Sequence, residues 1–390
     1  MLYDLIDLQR RQWQAWADMV LTSTAAAVAL APASVLPAVW FARVVGALDN
    51  GEVGLEDAVR RDAGQPLGID TLPSPSPFVR LVRFSSGAGG RPILFVAPFS
   101  GYAAAVSSRL VAALAAIGEV VVTDWRDARD IPPEAGPFGL DRQIGLIADL
   151  ARAMGQGVDL VGLSQSGPAV VAAAALGLRR GDPPPARLVL LGAPIDMRET
   201  PAALCAALPA DCLVSRVPRH YAGAGREVYP GLFQLMAYSF ANPAVYLTAQ
   251  SGLWHEMAAG ETGLHSRMHG ELHGLIDVPA ELYRDMLELV LRRSALAEGT
   301  LVVDGGAIDA RLLAHVPMLT VEARGDELVG RGRTHAAHRL TGRLEVAAPH
   351  LRAFVDGGHY ELFGGPGFDR TLTPLLRHFL GDRRDGGRPR

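Results

Sequence analysis

Asp159-Leu-Val-Gly-Leu-Ser164-Gln-Ser-Gly-Pro-Ala-Val170 is the stretch whose reading decides the fold. An apolar run ends at Gly162-Leu163, one serine follows, and a run of small residues begins. That order predicts a strand, a turn too sharp for bulky flanks, and a helix whose N-terminus lies under an exposed hydroxyl. Gly162 and Ser166 fill the small positions two residues either side of Ser164. The strict elbow has glycine at 166; here serine stands there, with Gly167 next. An ordinary strand-to-helix turn would have much the same local sequence, so the surroundings must decide.

On either side, apolar runs rich in β-branched residues recur at Ile93–Ala97, Val120–Trp125, Leu188–Leu191, Met318–Glu322 and Leu351–Val355. Helical stretches such as Ala103–Ile117, Leu140–Met154 and Pro168–Leu178 lie between the earlier ones. Strands alternating with helices of that length imply parallel pairing through right-handed crossovers. Near-continuous apolar character suits strands covered on both faces. Phe78–Phe84 alternates like a strand, and Gly-Ala-Gly-Gly at 87–90 reads as its hairpin turn.

The expected organisation is a helical segment and proline-rich linker over 1–77 and a core from 78–196 and 300–380. An aromatic, helical, loop-rich lid over 197–299 interrupts that core, and 381–390 is a frayed tail. Within the first segment, Leu2, Leu5, Leu8, Trp13 and Trp16 recur at near-helical spacing. Met19–Ala42 runs 24 residues without a charge. That length suits a bilayer span, a pair of helices broken at Pro32 and Pro37, or a surface that touches lipid or polymer.

Composition excludes several classes. All 37 basic residues are arginine, so a Schiff-base lysine and the phosphate-gripping lysine of a P-loop are both impossible. The net charge of −4, with no basic–aromatic interleaving, argues for no nucleic acid as partner. Cys205 and Cys212 match neither a disulfide framework nor a zinc ribbon, and free thiols fit a reducing compartment. His265, His269 and His273 lie four apart near Glu271, but glycines at 263, 270 and 274 favour a solvated lid segment over a metal site.

A serine hydroxyl needs a base, and the base a carboxylate to orient it. Downstream of Ser164, Asp326 follows the Met318–Glu322 strand and His359 follows the Leu351–Val355 strand. Both fall where strands leave the carboxyl edge of a parallel sheet, and serine, acid, histidine is the chain order of the α/β-hydrolase fold. Glu327 and Asp196 compete with Asp326 for the acid. The oxyanion donors expected are the Gln165 backbone N–H and one from Phe99 or Ser100 in Pro98-Phe-Ser-Gly-Tyr102. Lid aromatics Tyr229, Phe233, Tyr238, Phe240 and Trp254 read either as an apolar substrate groove or as the lid's own core. The chemistry calls for no cofactor and no metal.

Longer runs carry a resemblance. Thr123-Asp-Trp-Arg-Asp-Ala-Arg-Asp130, Gly136-Pro-Phe-Gly-Leu-Asp141, Leu191-Gly-Ala-Pro-Ile-Asp196, Gly225-Arg-Glu-Val-Tyr-Pro-Gly-Leu-Phe-Gln-Leu235, Asp277-Val-Pro-Ala-Glu-Leu-Tyr283 and Gly358-His-Tyr360 resemble the intracellular polyhydroxyalkanoate (polyhydroxybutyrate) depolymerase family. The resemblance implies a cytoplasmic hydrolase of ester bonds in 3-hydroxyacyl polymers or oligomers, with the granule surface as a partner. It places nucleophile, acid and base on Ser164, Asp326 and His359. The family's nucleophile is often cysteine followed by Gln-Pro, and this chain departs from it with Ser164-Gln165-Ser166. A serine also argues against the related polymer synthases, which hold the growing chain on a cysteine. Monomer chain length and oligomeric state, a homo-oligomer included, stay open.

Overall fold

The computed structural model describes residues 54–87, 89–198, 215–216, 224–235, 243–259, 274–342, 350–365 and 367–381. The apolar run at 19–42, both cysteines, Tyr238, Phe240 and the 265–273 histidines lie outside them. Among the described residues no helix is long and apolar enough to cross a membrane.

Eight strands form one sheet: β1 (Gly68–Leu72), β2 (Val79–Ser85), β3 (Ile93–Val96), β4 (Val120–Trp125), β5 (Asp159–Leu163), β6 (Arg187–Leu191), β7 (Met318–Ala323) and β8 (Leu351–Val355). Their spatial order is β1-β2-β4-β3-β5-β6-β7-β8. From β4 to β8 every pairing is parallel, while β1–β2 and β2–β4 are antiparallel. The continuous apolar runs are the reason β3, β5, β6 and β7 sit centrally, with every residue buried. β1 and β8, mostly exposed or half-buried, form the edges. This is the α/β-hydrolase arrangement expected from the strand rhythm.

Four helices pack near the site or brace the sheet: α1 (Leu55–Ala63), α2 (Ser108–Ala115), α3 (Leu140–Met154) and α4 (Gly167–Arg179). α3 buries Leu140, Gln143, Ile144, Ile147, Ala148 and Leu150, the helical face its sequence repeats. α4 is buried from Gly167 to Gly177, and its alanines let it lie close on the sheet.

Three expectations change. The stretch read as a linker carries β1, and α1 is tied to the sheet by Arg80 of β2, which bonds Glu56 of α1 at 2.9 Å and Asp124 of β4 at 2.6 Å. The core therefore begins before residue 78. The glycines at 87–90 do not close a hairpin, because β3 lies beyond β4 and never pairs with β2. Finally, 280–299, read as lid, packs as helical turns on the core: Leu282, Met286, Leu287 and Val290 are buried, and Asp285 accepts from Leu140 N at the start of α3 at 2.9 Å. Within the stretch read as lid, 215–216, 227–229 and 278–279 form a three-stranded antiparallel patch.

Candidate active site

β5 delivers Ser164 at φ 52°, a left-handed backbone that a non-glycine residue adopts only when its surroundings enforce it. The enforcement is visible. A Cβ on Gly162 would stand 3.1 Å from Gly167 Cα, and one on Gly167 only 2.2 Å from Ala193 Cβ. Ser166, where the strict elbow has glycine, is fully buried; its hydroxyl donates to Val96 O at 2.7 Å and accepts from Leu163 N at 3.0 Å. Serine is tolerated there because its hydroxyl laces the turn to β3.

The structure brings together the three residues that the sequence scatters over 195 positions. His359 Nε2 lies 2.9 Å from Ser164 Oγ, and His359 Nδ1 lies 2.8 Å from Asp326 Oδ2. His359 is 2% exposed and starts a short 3-10 turn after β8. Since the carboxylate can only accept, Nδ1 carries the proton and Nε2 is free to accept from the serine. The second oxygen of Asp326 accepts from Leu328 N at 3.0 Å and Val329 N at 2.8 Å. Burial pushes the Asp326 carboxyl up, but the hydrogen bond and charge of His359, with backbone donors, outweigh it and hold the group below its ordinary value. Beyond it, Glu322 of β7 accepts from Gly332 N at 2.7 Å and His335 N at 2.9 Å and pins the end of the acid loop.

Neither competing acid reaches the imidazole ring. Asp196 is paired with Arg198 at 2.7 Å and Arg339 at 3.6 Å. Glu327 accepts from the His359 backbone N–H at 3.2 Å, so it touches the base through the main chain.

Of the oxyanion residues, Phe99 is corrected. Its N–H donates to Gln165 Oε1 at 2.9 Å and is not available to a substrate. The Gln165 and Ser100 N–H groups have no acceptor among the described residues. Of the aromatics read as groove or lid core, Tyr229 is 6% exposed and stacked on Tyr283 with ring centres 4.1 Å apart, and Phe233 is half-buried against it, so both pack on the main hydrophobic core. Trp254, on the helix Pro243–Ala259, is 43% exposed.

Sequence reasoning missed three features. The apolar surface beside the base comes from Tyr102, Val106, Leu235, Leu275, Tyr360 and Phe363, which pack together, with Phe363 5.8 Å from the imidazole. Gly192, at φ 55°, makes room for the His359 ring, since a Cβ there would lie 3.0 Å from His359 Cε1. The third is a strap. Ala103 N donates to Gly274 O, Ile276 N to Gly101 O, Ala128 N to Asp277 O, and Asp277 N to Asp127 Oδ1, so 274–277 is stitched to the loops after β3 and β4. Burial, with the Asp277 charge beside it, pushes the Asp127 carboxyl well above its ordinary value. Gly192, Asp127 and Asp277 fall in runs already singled out by the resemblance; what they do there needed the fold. Among the described residues no group of His, Cys, Asp or Glu could hold a metal ion.

A family model described as "PHB de-polymerase C-terminus" matches residues 192–384. No curated protein matches the chain. Among solved structures, a bacterial membrane phospholipase A is 15% identical over 93% of this chain and 96% of its own, with a TM-score of 0.50. An α/β-hydrolase fold protein from Nakamurella multipartita is 18% identical over 80% and 99%, with a TM-score of 0.46. At such identities the likeness to the phospholipase is one of fold alone.

Proposed function

We propose that the chain is a member of the PHB depolymerase family, as the match of its residues 192–384 to that family's C-terminal model supports, and that it hydrolyses ester bonds of poly(3-hydroxybutyrate)-type polymer or oligomers through a serine acyl-enzyme. The observation that carries the proposal is the contact of 2.9 Å between His359 Nε2 and the hydroxyl of Ser164, on a strained turn at the carboxyl edge of the sheet.

In the first step Ser164 Oγ attacks the ester carbonyl while His359 Nε2 takes its proton. The resulting imidazolium sits against Asp326, whose lowered pKa keeps it charged for that purpose. The Gln165 and Ser100 N–H groups face the developing oxyanion. Collapse of the tetrahedral intermediate sends the His359 proton to the leaving hydroxyl of the shortened chain and leaves a 3-hydroxyacyl ester on Ser164. Water, deprotonated by the same imidazole, then releases the acid and restores the serine. The apolar wall of Tyr102, Leu275, Tyr360 and Phe363 receives the acyl portion. We assign the work to the cytoplasm, at the granule surface.

Release of 3-hydroxybutyrate from amorphous polymer, compared between the natural protein and Ser164→Ala, tests the proposal. Release by the natural protein alone is the expected result. Hydrolysis of nitrophenyl esters without attack on polymer would make it a small-substrate esterase. Silence on both would make it a granule-coating protein that kept the fold.

A further inference from the structure

The loop after β3 is held from every side. Ala97 N donates to Thr123 Oγ1 at 3.0 Å, and Trp125 Nε1 donates to Ala97 O at 2.8 Å. The Phe99 ring, 1% exposed, stacks on Trp125 with centres 5.1 Å apart and planes 4° from parallel. Further along, Gly101 O accepts from Ile276 N at 3.0 Å, and Ala103 N donates to Gly274 O at 2.7 Å. Besides the Ser166 tie to Val96 O, the polar contact from this loop to the nucleophile turn among the described residues is the bond of 2.9 Å from Phe99 N to Gln165 Oε1.

That bond has two consequences. An N–H can meet only the carbonyl end of a carboxamide, so it sets which way the Gln165 side chain faces. The other end, Nε2, is buried without an acceptor among the described residues, so the Phe99 bond is the one that holds the rotamer. In turn, Phe99 N–H is withdrawn from the oxyanion position. The next amides, Ser100 N–H and Gly101 N–H, have no acceptor among the described residues, nor does Gln165 N–H, and Ser100 is the one directly after the Phe99 anchor.

We propose that the Gln165 side chain is a positioning residue. By taking the Phe99 N–H it sets the 98–101 loop against the elbow, so that Ser100 N–H and Gln165 N–H meet the oxyanion together. The residue after the nucleophile thus serves the hole twice, once through its backbone donor and once through its carbonyl. This rests on the acyl-transfer reading above. Donors aligned in advance act on the charge of the transition state and little on the ground-state ester.

Gln165→Met keeps the backbone donor and the side-chain length but removes the acceptor for Phe99 N–H. With p-nitrophenyl butyrate as substrate, kcat is expected to fall roughly ten- to hundredfold while KM stays within about twofold. Inhibition by a trifluoromethyl ketone, which forms an oxyanion on the serine, should weaken by the same factor as kcat/KM, with the melting temperature unchanged. Unaltered kcat and inhibition would overturn the proposal, as would a faster variant, which would make Gln165 a plug. A loss seen in melting temperature and KM but not in kcat would reduce the residue to scaffolding and also overturn it. Ser164→Ala run alongside separates the two readings. A fully active Ser164→Ala would sink both; a silent one beside an unaltered Gln165→Met would sink this one alone.

Discussion

β5 carries a buried aspartate at its start and the candidate nucleophile just beyond its end, and the two ends of that strand are built on opposite rules. At the amino end, Asp159 is 1% exposed, and neither carboxylate oxygen has a hydrogen-bond partner among the described residues. The Arg187 guanidinium stands off at 4.0 Å. Burial, only partly offset by the charges of Arg187 and Arg91, pushes this carboxyl up to about 7. At the carboxyl edge, Asp326 is also buried, yet backbone N–H donors and the imidazole hold it below its ordinary value. Burial alone says nothing of a carboxylate's role. Only the one whose charge is satisfied in advance is fit to steady a protonated base.

The largest effect should come from undoing the satisfied end. Asp326→Asn keeps the shape but removes the charge and invites the wrong imidazole tautomer, so kcat should fall roughly 10³- to 10⁴-fold, measured on a nitrophenyl ester. A loss of less than about tenfold would mean that Asp326 is a structural acid like its counterpart.

Neutralising the unsatisfied end should do the reverse. Asp159 has a raised folded pKa, so its contribution to stability is fullest below the unfolded value of 3.8 and declines as pH rises toward about 7. Asp159→Asn should therefore be more stable than the natural protein at pH 8, by roughly 4 kcal/mol, and the two should converge near pH 4. Asp326 has a lowered folded pKa, so its contribution is present above 3.8 and is lost as pH falls through the folded value. Urea unfolding of both asparagine variants across pH 3–8 would show slopes of opposite sign. Parallel curves would break the comparison.

A smaller change probes how finely the catalytic end is shaped. Gly192→Ala adds a Cβ 3.0 Å from His359 Cε1 and 2.5 Å from Leu362 Cδ1, at a φ that alanine resists. Displacing the imidazole should cost roughly 10² in kcat/KM, with less effect on the pH dependence of stability. The least should follow Ser166→Ala, which deletes the tie to Val96 O and strands Leu163 N. About 1–2 kcal/mol of stability by urea unfolding is expected.

The carboxyl end, with the candidate nucleophile, was the more legible of the two. The central strands announced themselves because strands buried on both faces must be apolar throughout. Ser164, Asp326 and His359 could be picked out because the fold's chain order and the carboxyl edge constrain where each can lie. What stayed hidden depends on partners far along the chain. β1 is an exposed edge strand beside prolines and looks like a linker until β2 pairs with it. The glycines at 87–90 resemble a hairpin, and only the insertion of β4 between β2 and β3 removes it. Tyr229 suits a groove or a core equally well as an apolar side chain, and its stacking on the distant Tyr283 makes it core. The carbonyl of Gln165 is spent on Phe99, 66 positions earlier, which no local pattern reports. Asp159 reads simply as the first residue of the quoted strand; its missing hydrogen bonds exist only in three dimensions.

The central claim is that Ser164 forms the covalent intermediate. Treatment with a fluorophosphonate ester, followed by proteolysis and mass spectrometry, tests it directly. The predicted result is one phosphonyl adduct, on Ser164, formed in step with loss of esterase activity and much slower in His359→Ala. An active protein that resists the reagent, or an adduct on another residue that accounts for the lost activity, would contradict it.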